Sequence, residues 1–282
     1  MPHESDPESG DLSVTALYTS ATWAWARLPY AELFIHRDAK VIFWVTNLAL
    51  SIARIFVRGA QSLRHSLVHR HVLIDRLVTS SKADTVVELA AGLSRRGAAV
   101  SSDPSIRYLE FDLPHMTARK RVLLSRTPEG CAVASRSNYE IHDADVLRDP
   151  WEKAVSGGER RVLIAEGLLM YLEPHQRCEF FIRAARCLQD TGGALIFDLF
   201  PPAEQPGPSV VGRLLGWLMR RFTGGIGFNE VVVTRETILR DLKHAGFDHA
   251  EALEPFLVAD EWNLPFKSYR TNQLIFHAKK DR

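Results

Sequence analysis

Thr85-Val86-Val87-Glu88-Leu89 runs without a break into Ala90-Ala91-Gly92-Leu93-Ser94-Arg95-Arg96. Five mostly aliphatic residues followed by small ones read as a buried strand that turns sharply into a helix. Gly92 has no Cβ and tolerates left-handed dihedrals, so a ligand can come close to the backbone at this turn. The GxGxxG spacing of a dinucleotide site is not met, because Ala90 and Arg95 stand at the first and third glycine positions.

Outward from this stretch the chain alternates. Strand patterns recur over 106–111, 139–142, 161–165 and 194–200, with helical patterns over 114–125 and 174–189. Thr234 caps a further helix that stops at Gly246, and two more strands follow near 250–253 and 272–277. Strands alternating with helices predict an α/β fold on a doubly wound sheet, whose ligands bind outside the carboxyl ends of the strands. Four of those ends carry an acid: Glu88, Asp112, Asp145 and Glu166. Glu88 would oppose a pyrophosphate and suit a cationic ligand. S-adenosylmethionine (SAM) carries an ammonium and a sulfonium and no phosphate, so this sign favours SAM over NAD. Asp112 is placed to accept hydrogen bonds from both hydroxyls of a ribose. It is equally placed to cap the helix that opens at Pro114. Asp145 and Val146 offer an acid and an aliphatic face to an adenine.

Of the 282 residues, 46% are hydrophobic and 24% charged, which excludes wholesale disorder. The net charge of +1 supplies no chain-wide field for nucleic-acid phosphates, so no nucleic-acid partner is expected. Cys131, Cys178 and Cys187 are scattered without a CxxC pair, which suits a reducing cytoplasm. The start, 1–11, is acidic and polar, unlike a signal peptide. Residues 1–12 read as a disordered tail and 13–282 as one domain, with a helical lid segment over 13–80. The longest apolar stretch, 41–53, is broken by Thr46, Asn47 and Ser51. It falls short of the ~20 residues of a membrane span and reads as a buried or lid helix. A proline-rich break opens an insertion over 201–230, at the mouth of the site. Tyr18, Trp23, Tyr30 and, in that insertion, Phe228 are candidate walls of an acceptor pocket. His65 and His69 are spaced i, i+4 with His71 close by, but no glutamate or cysteine cluster accompanies them. They read as a solvated helix face, and no metal is expected.

Three segments carry a family resemblance. They are Val87-Glu88-Leu89-Ala90-Ala91-Gly92-Leu93-Ser94-Arg95-Arg96-Gly97, Tyr108-Leu109-Glu110-Phe111-Asp112-Leu113-Pro114 with Ala118-Arg119-Lys120-Arg121, and Leu163 to Leu172 with Glu166-Gly167 at its centre. The chain resembles the leucine carboxyl methyltransferase family in its broad sense, which includes bacterial polyketide-type O-methyltransferases. Members usually read Glu-Leu-Gly-Ala-Gly-Leu-Asp-Thr-Arg at the first motif; here Ala90, Ser94 and Arg95 replace a glycine, the acid and the threonine. The resemblance implies a class I SAM-dependent methyltransferase: a Rossmann-like sheet of seven strands, the last antiparallel. It implies that Arg70 clamps the SAM carboxylate and that Ala90, Gly92 and Leu113 lie along the cofactor. Glu88 would stand near its amino group, Asp112 at the ribose, Asp145 and Val146 at the adenine and Glu166 at the amino-acid end. Tyr171 would flank the transferring methyl.

Methyl transfer from a sulfonium is an in-line displacement that needs an oxygen held about 3 Å from the methyl in a dry pocket. A carboxylic acid, with a pKa of about 4, needs no base; a phenol, near 10, gains from one. His142, at the third strand end, is a candidate base. The expectation is an O-methyltransferase acting on a carboxylate or hydroxyl of a small molecule, with a natural product of polyketide type as one such acceptor. A protein carboxyl methyltransferase is the near alternative. An NAD-dependent dehydrogenase and a non-catalytic SAM-binding protein are alternatives of other classes.

Overall fold

A computed structural model describes residues 14–56, 62–199, 234–271 and 273–282. The expected tail 1–12, the insertion 201–230 and Phe228 lie outside the described residues. In chain order the elements are α1 (Val14–Trp25), α2 (Arg37–Phe56), α3 (Leu63–Ser80), β1 (Thr85–Leu89), α4 (Arg96–Val100), β2 (Arg107–Asp112), α5 (Pro114–Leu124) and α6 (Pro128–Ala134). They continue as β3 (Tyr139–Asp143), β4 (Arg161–Ala165), α7 (Pro174–Leu188), β5 (Gly193–Leu199), α8 (Arg235–Ala245), β6 (His249–Leu253) and β7 (Leu274–Lys280).

The sheet runs β3-β2-β1-β4-β5-β7-β6. β1 to β5 pair in parallel, and β7 lies antiparallel between β5 and β6. Side chains alternate between two cores. Val86, Tyr108, Ile164, Ile196 and Ile275 face α1, α3 and α5, while Val87, Leu109, Leu163, Phe197 and Phe276 face α7 and α8. Burial on both faces explains why β1, β4 and β5 read as continuous apolar runs. Chain order reverses between β1 and β4, which opens a crevice at their carboxyl ends. The sequence reading missed α6, although Thr127 accepts a hydrogen bond from the Gly130 N–H at 3.0 Å as its cap.

Two expectations about the helical segment are corrected. α2 is not a wholly buried helix: Ala39 and Phe43 are buried, but Val41, Trp44, Val45 and Leu48 are each 62–64% exposed. Its polar Asn47 turns inward, donating to the Phe43 carbonyl at 2.7 Å and accepting from the Tyr18 hydroxyl at 3.2 Å. Among the described residues no helix is long and apolar enough to cross a membrane. The histidines of α3 are not solvated either: His65, His69 and His71 are all buried. α3 packs between the sheet and α1, and each ring finds a partner there. His65 stacks on Tyr269, His69 meets the Pro265 carbonyl at 2.6 Å, and His71 meets Glu166.

Candidate active site

The turn after β1 is built from two left-handed residues, Ala90 (φ 56°) and Gly92 (φ 53°). The Ala90 N–H donates to the Phe111 carbonyl at 2.8 Å, which ties the turn to the end of β2. A Cβ built on Gly92 would meet nothing within 4 Å, so the turn is open on that side. Asp112 accepts from the Gly92 N–H at 2.5 Å and from the Leu113 N–H at 2.7 Å. Burial raises its pKa, with those two bonds opposing. The carboxylate therefore bridges the β1 turn and the start of α5. Leu113, not Asp112, holds the N-cap position of α5, with its side chain 41% exposed.

Across the crevice the acids are paired with arginines from α3 and the start of α4. Arg70 donates through Nε to Glu166 at 2.8 Å and through Nη1 to Asp198 at 3.1 Å. Arg96 is fully buried and donates to Asp75 at 2.7 Å, to Glu166 at 2.6 Å and to Glu88. Arg95 also contacts Asp75. Asp198 accepts from the Gly167 N–H at 2.5 Å and from Gln273 at 2.6 Å. Burial pushes Glu166 toward the neutral acid, but His71, Arg70 and Arg96 outweigh it and hold the carboxyl well below its usual range. Burial lowers His71 to about 3, so the ring is neutral at pH 7 and Trp23 stacks on it at 4.3 Å between centroids. Four carboxylates (Asp75, Glu88, Glu166, Asp198) thus meet three guanidiniums (Arg70, Arg95, Arg96). The single excess negative charge suits a cationic ligand, at far lower field than four bare acids would produce.

The structure brings Arg70, Glu88, Ala90, Gly92, Asp112 and Glu166 to the β1–β4 crevice or directly beneath it. Glu88 lies beneath: it is 1% exposed, and its second oxygen takes the Tyr108 hydroxyl at 2.7 Å. Asp145 and Val146 follow β3, where Asp145 accepts from the Leu147 N–H at 3.0 Å and Val146 is buried. Tyr171 ends a 3-10 turn, Leu169–Tyr171, and feels the charges of Arg70 and Asp198, so it borders the same ends. His142 is not brought in. Its ring stacks on Phe111 and its Nε2 lies 3.0 Å from Glu140, which points it back along β3. Tyr18 and Tyr30 are not crevice walls. Tyr18 is 5% exposed between α1 and α2. Tyr30 packs with Arg136, which precedes β3 and so lies at the amino end of that strand, away from the carboxyl ends that form the crevice. Among the described residues Trp23 meets the crevice network at His71, on which it stacks. The sequence reading missed Arg96, His71, Asp198 and Gln273. The signal for the arginines was present: buried strand-end acids need counter-ions, and Arg95-Arg96 follow the turn directly. Among the described residues no group of side chains could hold a metal ion.

Solved structures share this fold at low identity. An O-methyltransferase family protein from Burkholderia thailandensis matches with a TM-score of 0.53 and 15% identity, over 95% of this chain and 72% of its own. PigF with S-adenosylhomocysteine (SAH) matches with 0.53 and 15%, over 97% and 71%. Human N-acetylserotonin methyltransferase in complex with SAM matches with 0.50 and 14%, over 96% and 68%. No curated protein sequence matches the chain. The sheet, with its antiparallel β7, is that of a class I SAM-dependent methyltransferase. The family model described as leucine carboxyl methyltransferase matches residues 16–184, and the chain belongs to that family. It is a methyltransferase whose methyl donor is SAM.

Proposed function

We propose that the protein methylates an oxygen, carboxylate or hydroxyl, of a small molecule. The observation that carries the cofactor side is a crevice with one excess negative charge, at whose strand ends Arg70 is held by Glu166 and Asp198 and Asp112 is tied to the open Gly92 turn. Arg70 spends two of its five N–H donors on these acids and keeps others for a carboxylate. Glu166, ionised through the usual pH range, attracts an ammonium. Asp112 holds ribose hydroxyls, Ala90, Gly92 and Leu113 lie along the nucleoside, and Asp145 and Val146 take the adenine. The bound cofactor supplies an electrophilic methyl group on a sulfonium. The protein's own task is to orient an acceptor oxygen beside Tyr171 and exclude water. His142 is held by Glu140 away from this place, which supports an acceptor that is already ionised and needs no base.

The family model, described by its leucine carboxyl substrate, favours a second reading: methylation of a protein carboxyl group. Incubation with methyl-labelled SAM and a panel of aryl and alkyl acids, phenols and protein extracts separates the two. Label in small molecules that is released as methanol at pH 10 supports a carboxyl ester. Label stable at pH 10 supports an ether. Label only in macromolecules overturns the small-molecule reading.

A further inference from the structure

Asp198 is fully buried at the end of β5, on the sheet face that α3 covers. A lone buried carboxylate is costly, and this one is saturated. Its Oδ1 accepts from the Gly167 N–H at 2.5 Å. Its Oδ2 accepts from Arg70 Nη1 at 3.1 Å and Gln273 Nε2 at 2.6 Å. Gln273, 1% exposed just before β7, is fixed in turn by the Ser66 hydroxyl at 3.3 Å. The chain thus runs from α3 through β7 and β5 back to α3, closing on the guanidinium of Arg70.

The geometry of the turn after β4 depends on the same residue. Gly167 is left-handed (φ 73°), and a Cβ there would lie 3.7 Å from Arg70 Nη1, so the turn passes close beside the guanidinium. Glu166 holds Arg70 through Nε, at one side of the guanidinium. A second anchor at Nη1 fixes the plane. A planar guanidinium recognises a carboxylate only in a defined plane, so this anchor bears on ligand selectivity as well as folding.

We propose that Asp198, seated by Gln273, is a positioning residue. It sets the orientation in which Arg70 receives the carboxylate of the cofactor's amino-acid portion, and through Gly167 it sets the height of Glu166. This inference rests on the assignment of Arg70 to that carboxylate.

The test is calorimetric titration of the full chain with two probes: SAH, which has the carboxylate, and 5′-methylthioadenosine, which lacks the whole amino-acid end. Asp198→Asn retains the acceptor for Gly167 and removes the ionic anchor. It is expected to weaken SAH about tenfold or more and 5′-methylthioadenosine less than twofold. Gln273→Met leaves the carboxylate in place and removes its seat, and is expected to give the same split at about threefold. It decides the matter if Asp198→Asn does not fold. Equal losses for both probes, or no loss for either, overturn the proposal. Arg70→Met is the control. If Arg70→Met produces no split, the assignment of Arg70 fails. If it produces the split while Asp198→Asn and Gln273→Met do not, only the role of Asp198 falls.

Discussion

Glu88 and Glu110 are register partners on the adjacent parallel strands β1 and β2, both 1% exposed and both on the face toward α3 and α4. Each meets a different cation and a different phenol. Glu88 takes Arg96 and the Tyr108 hydroxyl, and Glu110 takes Lys120 and the Tyr139 hydroxyl, the latter at 3.0 Å. Two buried carboxylates side by side are tolerable only when so paired.

Glu110 makes this arrangement sensitive to pH. Burial, aided by Glu88 and opposed by Lys120, raises its pKa to about 7 from an ordinary 4.5. Between those values the native chain holds a proton that the unfolded chain has released, so this site's contribution to stability falls as pH rises. Glu110→Gln cannot titrate. The stability advantage of the wild-type protein over this variant should shrink between pH 5 and pH 7.5, read from urea midpoints. A growing advantage would refute the raised pKa.

Arg96 is the most heavily committed cation in the molecule's described part, with Asp75, Glu88 and Glu166 all depending on it. Replacing one member of a buried ionic cluster leaves the others uncompensated, at a cost of about 3–5 kcal/mol. Arg96→Met should therefore lose that much stability in chemical denaturation. Arg107→Met breaks a pair with Glu140 in which both side chains are about one-third exposed, and should lose less than about 1 kcal/mol. Similar losses for the two would show that the buried network does not carry the fold.

The strand–turn–helix at 85–97 was legible because its signals are local: a run of apolar residues, then small ones. The same holds for Asp112, whose position at a strand end follows from the strand pattern alone. The electrostatics were not legible. Nothing next to Glu88 in the strand marks its partner, which α4 delivers as Arg96, and which face of α3 turns Arg70 inward is decided by how that helix lies on the sheet. His71 failed for the same reason, since a histidine on a helix carries no mark of the side it faces. Trp44 failed in the opposite sense: apolar spacing shows that a helix has an apolar face, not that the described residues cover it.

The turn after β1 offers a test in which one methyl group changes sign. Ala90 and Gly92 are both left-handed, a conformation that costs an L-residue about 1–2 kcal/mol. Gly92→Ala imports that cost where there is no steric neighbour, and should lose about 1 kcal/mol. Ala90→Gly removes it, offset by roughly 0.4–1 kcal/mol of added freedom in the unfolded chain. It should leave stability unchanged or slightly raised. Thermal or urea unfolding of the pair decides this, and a loss on Ala90→Gly would show that the Ala90 methyl packs usefully.

Asp112 ties the cofactor assignment to a measurable preference. Both of its oxygens are anchored by backbone N–H groups, which aim the remaining lone pairs away from the turn. Hydrogen bonds to a charged acceptor are worth about 1.5–3 kcal/mol, so Asp112→Ala should weaken SAH by at least about 1 kcal/mol after loss of the structural bonds is offset by water. A general loosening of the turn would give the same loss, so the decisive comparison is between ligands. The wild-type protein should prefer 5′-methylthioadenosine to its 2′-deoxy analogue, and Asp112→Ala should erase most of that preference. If the variant discriminates between the two as strongly as the wild type does, the ribose hydroxyls are held by another group.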